Sequence, residues 1–346
     1  MKLHRIQQLG RAFRQLKPRL VPGARILRYH RISDLASDPH ALCVTPRHFA
    51  QHLETLSRYG RVIPLKRLVG SLRNGEHPQG VIVLTFDDGY ADNLYHAKPL
   101  LERYNMPATI FVTTGYLEHQ REFWSDELER VLLLPGTLPK ILRLAVNGNP
   151  IQCELDDATD YNEQDYRRHS SWNVKADHDP SSRHRLFRTL HDMLKPAPHP
   201  ERWRVLDALV TWSGLQSAVR PTHRPLTPDE LNRLAEGKLV EIGAHTVTHP
   251  VLSLLSAASQ REEILQSKAY LEKRLGSPVT SFAYPYGGPC DYSAETVAIL
   301  QEAGFECAAS TISDMASRDA DLFRLPRLYV GNWDEEAFRK NLALTR

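Results

Sequence analysis

The stretch Val81–Tyr90, V-I-V-L-T-F-D-D-G-Y, limits the architecture of this chain more than any other. Four apolar residues, three of them β-branched, run into two adjacent carboxylates and a glycine. Such a run fits a strand of a mostly parallel sheet with both faces covered. An Asp-Asp-Gly surface turn would explain the glycine but not the core strand before it. Parallel strands of α/β folds present their chemistry at their carboxyl ends, where Asp87 and Asp88 fall. Two adjacent buried carboxylates repel each other and need compensation. A divalent metal beside one supplies it and leaves the other free to act as a base.

The rest of the chain suits a large α/β domain. Its 346 residues can hold one such domain with an insertion, or two smaller ones. A net charge of +3 gives no reason to expect a nucleic-acid partner. Cys43, Cys153, Cys290 and Cys307 show no C-x-x-C pairing and read as reduced thiols, which leans cytoplasmic. Residues 1–22 are expected to form a basic amphipathic helix rather than a secretory signal. Leu3, Ile6, Leu9, Phe13 and Leu16 recur at helical spacing among Lys2, Arg5, Arg11, Arg14 and Lys17. Such a helix either docks on its own domain or lies on an anionic membrane surface through residues 1–20.

Strands and helices alternate from residue 23 onward. Strands are expected at Ala24–Ile32, Arg61–Leu65, Val81–Phe86, Ala108–Thr114, Leu239–Thr246, Ser281–Gly287, Phe305–Ser310 and Leu322–Val330. Helices are expected at 45–59, 66–73, 93–104, 227–235, 256–275, 294–303 and 334–344, several with Ser, Thr or Pro at their starts. The alternation breaks at about 117–222. That stretch is rich in charge, His, Trp and Pro, and reads as a mostly helical insertion above the site-bearing face. About seven βα units without a G-x-G-x-x-G fingerprint favour a barrel over a Rossmann sheet.

A second motif, G-A-H-T-V-T-H-P, sets His245 and His249 four apart directly after a strand. The two imidazoles can converge on one point if a helical turn follows, and Asp88 would complete a two-histidine, one-carboxylate set. Such a set leaves metal positions open for water and substrate.

These motifs resemble the polysaccharide deacetylase family, the NodB-homology or carbohydrate esterase 4 group. T-F-D-D-G-Y at Thr85–Tyr90, H-T-V-T-H at His245–His249 and P-Y-G at Pro285–Gly287 carry the resemblance, which spans roughly residues 24–115 and 225–330. It implies a distorted (β/α)7 TIM-like barrel, a divalent metal, and removal of N-acetyl groups from an amino-sugar saccharide. By the same resemblance Asp87 would be the catalytic base, with Asp88, His245 and His249 holding the metal. Zinc is the first expectation for that metal, and cobalt, nickel or iron would also suit. Tyr286, Pro285, Tyr90 and Trp124 are expected to meet the sugar, and the Tyr286 N–H is a candidate oxyanion donor.

Departures from the family pattern make further expectations. The third motif usually begins with an arginine that tethers the base, where this chain has Ala283; Arg327 in R-L-P-R is the expected substitute. The late strand that usually ends in a catalytic histidine has none here, whereas I-L-R-Y-H puts His30 at the end of the first strand. This resembles the permuted PgaB and IcaB type, and His30 would be the general acid. The family's fourth motif, which carries a tryptophan, has no match after Phe305. The expected substrate is an acetylated poly- or oligosaccharide, or a lipid-linked or nucleotide-linked sugar at the inner membrane face. Alternatives are a deformylase, an allantoinase-like amidohydrolase, and a lapsed saccharide-binding barrel.

Overall fold

The computed structural model describes residues 23–344 except 77, 120 and 217. The expected helix at 1–22 and its membrane contact lie outside the described residues. Among the described residues no helix is long and apolar enough to cross a membrane.

Seven parallel strands carry the fold: β1 (Ala24–Tyr29), β2 (Val81–Phe86), β3 (Ala108–Val112), β4 (Val240–Ala244), β5 (Ser281–Ala283), β6 (Cys307–Ala309) and β7 (Leu328–Tyr329). Their order is β6-β5-β4-β3-β2-β1-β7, with Arg61–Val62 paired to the first half of β2. The first strand of the chain therefore sits between β2 and the last strand. Closure comes from the segment before β7, where Leu322, Leu325 and the backbone of β6 exchange hydrogen bonds of 2.8–2.9 Å. This is a distorted barrel, as the sequence implies.

Period-two alternation sorts the side chains. Ala24, Ile26, Val81, Val83, Phe111, Ala283, Cys307 and Ala309 share one cluster, the barrel interior, while Leu27, Tyr29, Leu84, Phe86, Ile110 and Val112 pack outward under the helices. Gly243 of β4 is required by this packing, because a Cβ there would meet the Phe111 ring at 2.4 Å. The helices are α1 (Pro46–Tyr59), α2 (Leu65–Arg73), α3 (Lys98–Tyr104), α4 (Trp124–Leu132), α5 (Glu163–His169), α6 (Ser182–Leu194), α7 (His199–Ser213), α8 (Pro228–Ala235), α9 (Ala257–Leu275), α10 (Ala294–Glu302) and α11 (Glu335–Leu344). Leu65, Leu68, Val69 and Leu72 of α2 belong to the interior cluster and plug one end of the barrel.

Several boundaries differ from expectation for local reasons. The strand at Arg61 stops at Val62 because Pro64 opens α2. The helix expected at 93–104 begins as a π-turn over Asn93–Ala97, where Pro99 of α3 has no N–H to continue a regular ladder. The strand expected over Leu322–Val330 divides at Pro326, one part turning to β6 and the other pairing β1. The insertion is less helical than expected, with α4–α7 covering under half of it, and it has its own core, including Leu128, Leu186, Leu190, Val205 and Leu209. It also carries an antiparallel hairpin, Ile141–Val146 with Asn149–Glu154, turned by Asn147-Gly148 at φ 49° and 78°. An Asn-Gly pair with both residues left-handed is the signature of a two-residue hairpin turn.

Candidate active site

Strand register assembles the site before any side chain is considered. Tyr29 pairs with Phe86, and the Asp87 N–H donates to the Tyr29 carbonyl at 3.1 Å. The next residues, His30 and Asp87, therefore emerge side by side at the carboxyl end. Across β3, the His245 N–H donates to the Val112 carbonyl at 3.1 Å and brings the second motif to the same rim.

Asp88, His245 and His249 converge. Asp88 Oδ1 lies 3.5 Å from His245 Nε2 and 3.4 Å from His249 Nε2, and one donor atom from each residue lies within 4.8 Å of the others. Ligands about 2.0–2.1 Å from a shared tetrahedral ion sit roughly 3.4 Å apart, so this donor set fits a divalent metal. His245 Nδ1 is 2.7 Å from the Ala283 carbonyl, which can only accept. Nδ1 therefore carries the proton and Nε2 keeps its lone pair toward Asp88. The loop is not helical: Thr246 and His249 have φ of 66° and 56°. Two clamps hold it. Glu263 of α9 accepts from the Val247 and Thr248 amides at 2.8 and 2.9 Å, and Arg202 of α7 donates to the His249 carbonyl at 3.0 Å. Asp88 and Tyr286, with φ of 75° and 60°, are also left-handed, so strained backbone concentrates at this rim.

Asp87 is excluded from that trio by its own partner. Arg327 donates to both carboxylate oxygens, Nη1 to Oδ1 at 2.7 Å and Nη2 to Oδ2 at 2.8 Å, while its Nε donates to the Ser310 carbonyl at 2.8 Å. The guanidinium is fully buried and lies in the interior that the small Ala283 leaves open. Burial opposes ionisation of Asp87, yet the Arg327 charge outweighs it and holds the carboxyl well below the usual range. His30 Nε2 lies 3.9 Å from Asp87 Oδ2. Burial lowers the basicity of His30, and Asp88 and Asp87 counter it in part. Asn93 fixes the loop beneath by donating to the His30 carbonyl at 2.8 Å.

A cavity of about 270 Å³ opens over these groups. Tyr286 borders it with its ring edge-on to His249, centroids 4.8 Å apart, and among the described residues no hydrogen bond engages its amide. Pro285 is buried behind it. Trp124 and Tyr90 reach the wall but offer little open face. The Trp124 indole stacks on His191 at 5.2 Å and under the Arg202 guanidinium. Tyr90 is 1% exposed, donates to Asp126 Oδ2 at 2.9 Å and lies 4.3 Å beneath the Arg31 guanidinium. Tyr90 thus ties the barrel to the insertion, while these Trp124 contacts stay within the insertion. The cavity also includes Arg28, His40, Lys175, His191, Lys195, Thr311 and Tyr329, which the sequence reading missed. Alternation along β1 could have found Arg28, two residues before His30 on the same face. No sequence signal places the insertion's lysines there.

Comparison with known proteins bears on the family and the fold. A family model described as polysaccharide deacetylase matches residues 74–169 and 205–308. The polysaccharide deacetylase candidate YxkH of Bacillus subtilis strain 168 is 29% identical over 117 residues, covering 33% of this chain and 39% of that protein. Two solved structures share the fold over 94% of this chain and 98% of theirs, each with a TM-score of 0.56. They are a Streptococcus pyogenes deacetylase, PplD, in complex with acetate, at 20% identity, and IcaB from Ammonifex degensii, at 17%.

Proposed function

The chain belongs to the polysaccharide deacetylase family, and from that premise we propose that it is a metal-dependent hydrolase removing N-acetyl groups from an amino-sugar saccharide. The observation that carries this reading is the division of two adjacent carboxylates. Asp88 faces two imidazole nitrogens at 3.4–3.5 Å, while Asp87 is claimed by Arg327. A surface turn or a purely structural ion pair would need no such division.

Asp88, His245 and His249 would hold the ion, with zinc the best fit to two imidazoles and a carboxylate and cobalt, nickel or iron also suited. When bound, a divalent ion polarises the acetamide carbonyl and acidifies water. Asp87, kept ionised by Arg327, accepts the proton of the attacking water. Arg327 also fixes the carboxylate plane, so its direction does not depend on substrate. His30, on the other side of Asp87, gives a proton to the departing amine; burial lowers its basicity, and the two neighbouring carboxylates offset part of that. The Tyr286 N–H would donate to the negative charge that develops on the carbonyl oxygen. The substrate is an acetylated poly- or oligosaccharide or a lipid-linked or nucleotide-linked sugar.

The test is product analysis with the zinc-loaded protein on N-acetyl, N-formyl and ureide compounds. Acetate release from an acetylated amino sugar is expected, lowered about 10²–10⁴-fold by Asp87→Asn. Formate release or ureide opening alone would replace the proposal, and unchanged acetate release in the variant would remove Asp87 from its role.

A further inference from the structure

The cavity carries more positive charge than a neutral acetylated sugar can use. Arg28, Lys175 and Lys195 border it, and among the described residues the carboxylates in its wall are Asp87 and Asp88. Those two are already engaged, one by Arg327 and the other by the two histidines. Arg28 rises from the interior face of β1 between Ile26 and His30. Among the described residues no ion pair or hydrogen bond is made by its side chain, and its Nε is buried without a partner. Burial and the nearby Arg327 lower the guanidinium to about 10, outweighing the opposing pull of Asp87, Tyr329 and Asp88.

Lys175, an exposed residue of the insertion, points at the same place. Its Nζ lies 4.6 Å from the centroid of the Tyr329 ring, and the Arg28 guanidinium lies 5.9 Å from that centroid. Two cations share one ring, and the carboxylates nearest to them are already engaged: Asp87 and Asp88 beside Arg28 as above, and Asp38 beside Tyr329 by the Leu42 and Cys43 amides. Like charges so arranged repel and lose solvation unless an anion joins them. On the opposite wall, Lys195 Nζ lies 4.5 Å from the Tyr286 ring centroid, with Asp291 as its nearest carboxylate at 4.0 Å.

We propose that the substrate carries an anionic group, a phosphate or a carboxylate, within about one sugar unit of the acetamide, bound by Arg28 and Lys175 beside Tyr329, with Lys195 facing it. This rests on the deacetylase reading and narrows it to acidic amino-sugar substrates. A guanidinium offers a planar fork to either anion, and a lysine adds a movable point charge.

Matched saccharides test it: N,N′-diacetylchitobiose, its 1-phosphate, and a disaccharide of N-acetylglucosamine with glucuronic acid. Binding to the full chain is measured by calorimetry, and acetate release is followed in parallel. At least one acidic compound should bind roughly tenfold or more tighter than the neutral one. That preference should shrink as salt rises. Arg28→Gln should reduce the acidic-to-neutral ratio of kcat/KM and of affinity, and so should Lys175→Gln, whose exposed position spares folding. The stronger of the two acidic arms identifies the anion. Equal binding of neutral and acidic compounds, or a ratio unmoved by Lys175→Gln, overturns the inference. Acetate released equally from all three would sink it while sustaining the deacetylase reading. Acid-selective binding with no acetate released from any compound would do the reverse.

Discussion

At the scale of single residues, the poise of Asp87 depends on one guanidinium. Burial alone would push this carboxyl upward, and Arg327 reverses the sign. Because the carboxyl stays ionised far into acid, it should set no acid limb in the native pH profile near neutrality. Arg327→Met leaves only His245 and His30 to oppose burial, so the limb of kcat/KM should move up by about 1–3 pH units. Arg327→Lys, with the charge but not the fork, should move it less. An identical acid limb in Arg327→Met would show that another group holds the base. The sequence showed the need for such a cation at Ala283 and offered Arg327, but not the bidentate geometry. That geometry depends on the turn at Pro326, which sends Leu325 to β6 and releases Arg327 into the interior. The two motif carboxylates and the histidines were legible because strand ends fix them. Arg202 and Glu263 were not, because they act on backbone groups of a loop distant in sequence.

At the scale of elements, β1 is joined to α1 and α11 through a neutral histidine. His52 of α1 is fully buried, accepts from the Tyr29 hydroxyl at 3.3 Å, donates to the Trp333 carbonyl at 2.7 Å, and stacks on Phe338 with centroids 3.9 Å apart. Burial lowers its pKa from 6.5 to about 4. A depressed folded value contributes stability that is present above the unfolded pKa and is lost as pH falls through the folded one. Between pH 7 and pH 4 the wild type should therefore lose about 3 kcal/mol that His52→Gln does not, read by urea unfolding at each pH. An equal loss in the variant would assign the acid sensitivity elsewhere. Strand and helix types were readable from periodicity and caps, as at Thr227 and Ser293, whose capping boxes form. The hairpin at Ile141–Glu154 was missed although Asn147-Gly148 announces it, because charge and proline around it obscured the alternation.

At the scale of the whole molecule, barrel and insertion have separate cores, and Arg202 links the insertion to the loop that carries His245 and His249. Its Nε donates to the Leu194 carbonyl at 2.9 Å and its Nη2 to that of Lys195 at 2.6 Å, satisfying the end of α6, while Nη1 reaches His249. The insertion thus helps fix His249, a candidate metal ligand that the barrel supplies. Groups that orient ligands from the second layer typically change metal affinity about 10–100-fold when removed. Arg202→Met should weaken metal binding by about that factor, measured by competition with a chelator. Loss of stability alone could mimic the effect, so Leu209→Ala serves as the comparison. That change hollows the insertion's core at a cost of about 2–5 kcal/mol without touching His249. If insertion and site are coupled through Arg202, Leu209→Ala melts earlier but keeps its metal affinity below its melting range, and Arg202→Met loses affinity while still folded. If both variants lose affinity in proportion to stability, the guanidinium is only a structural tie, and the site depends on the insertion no more than on any other packed layer.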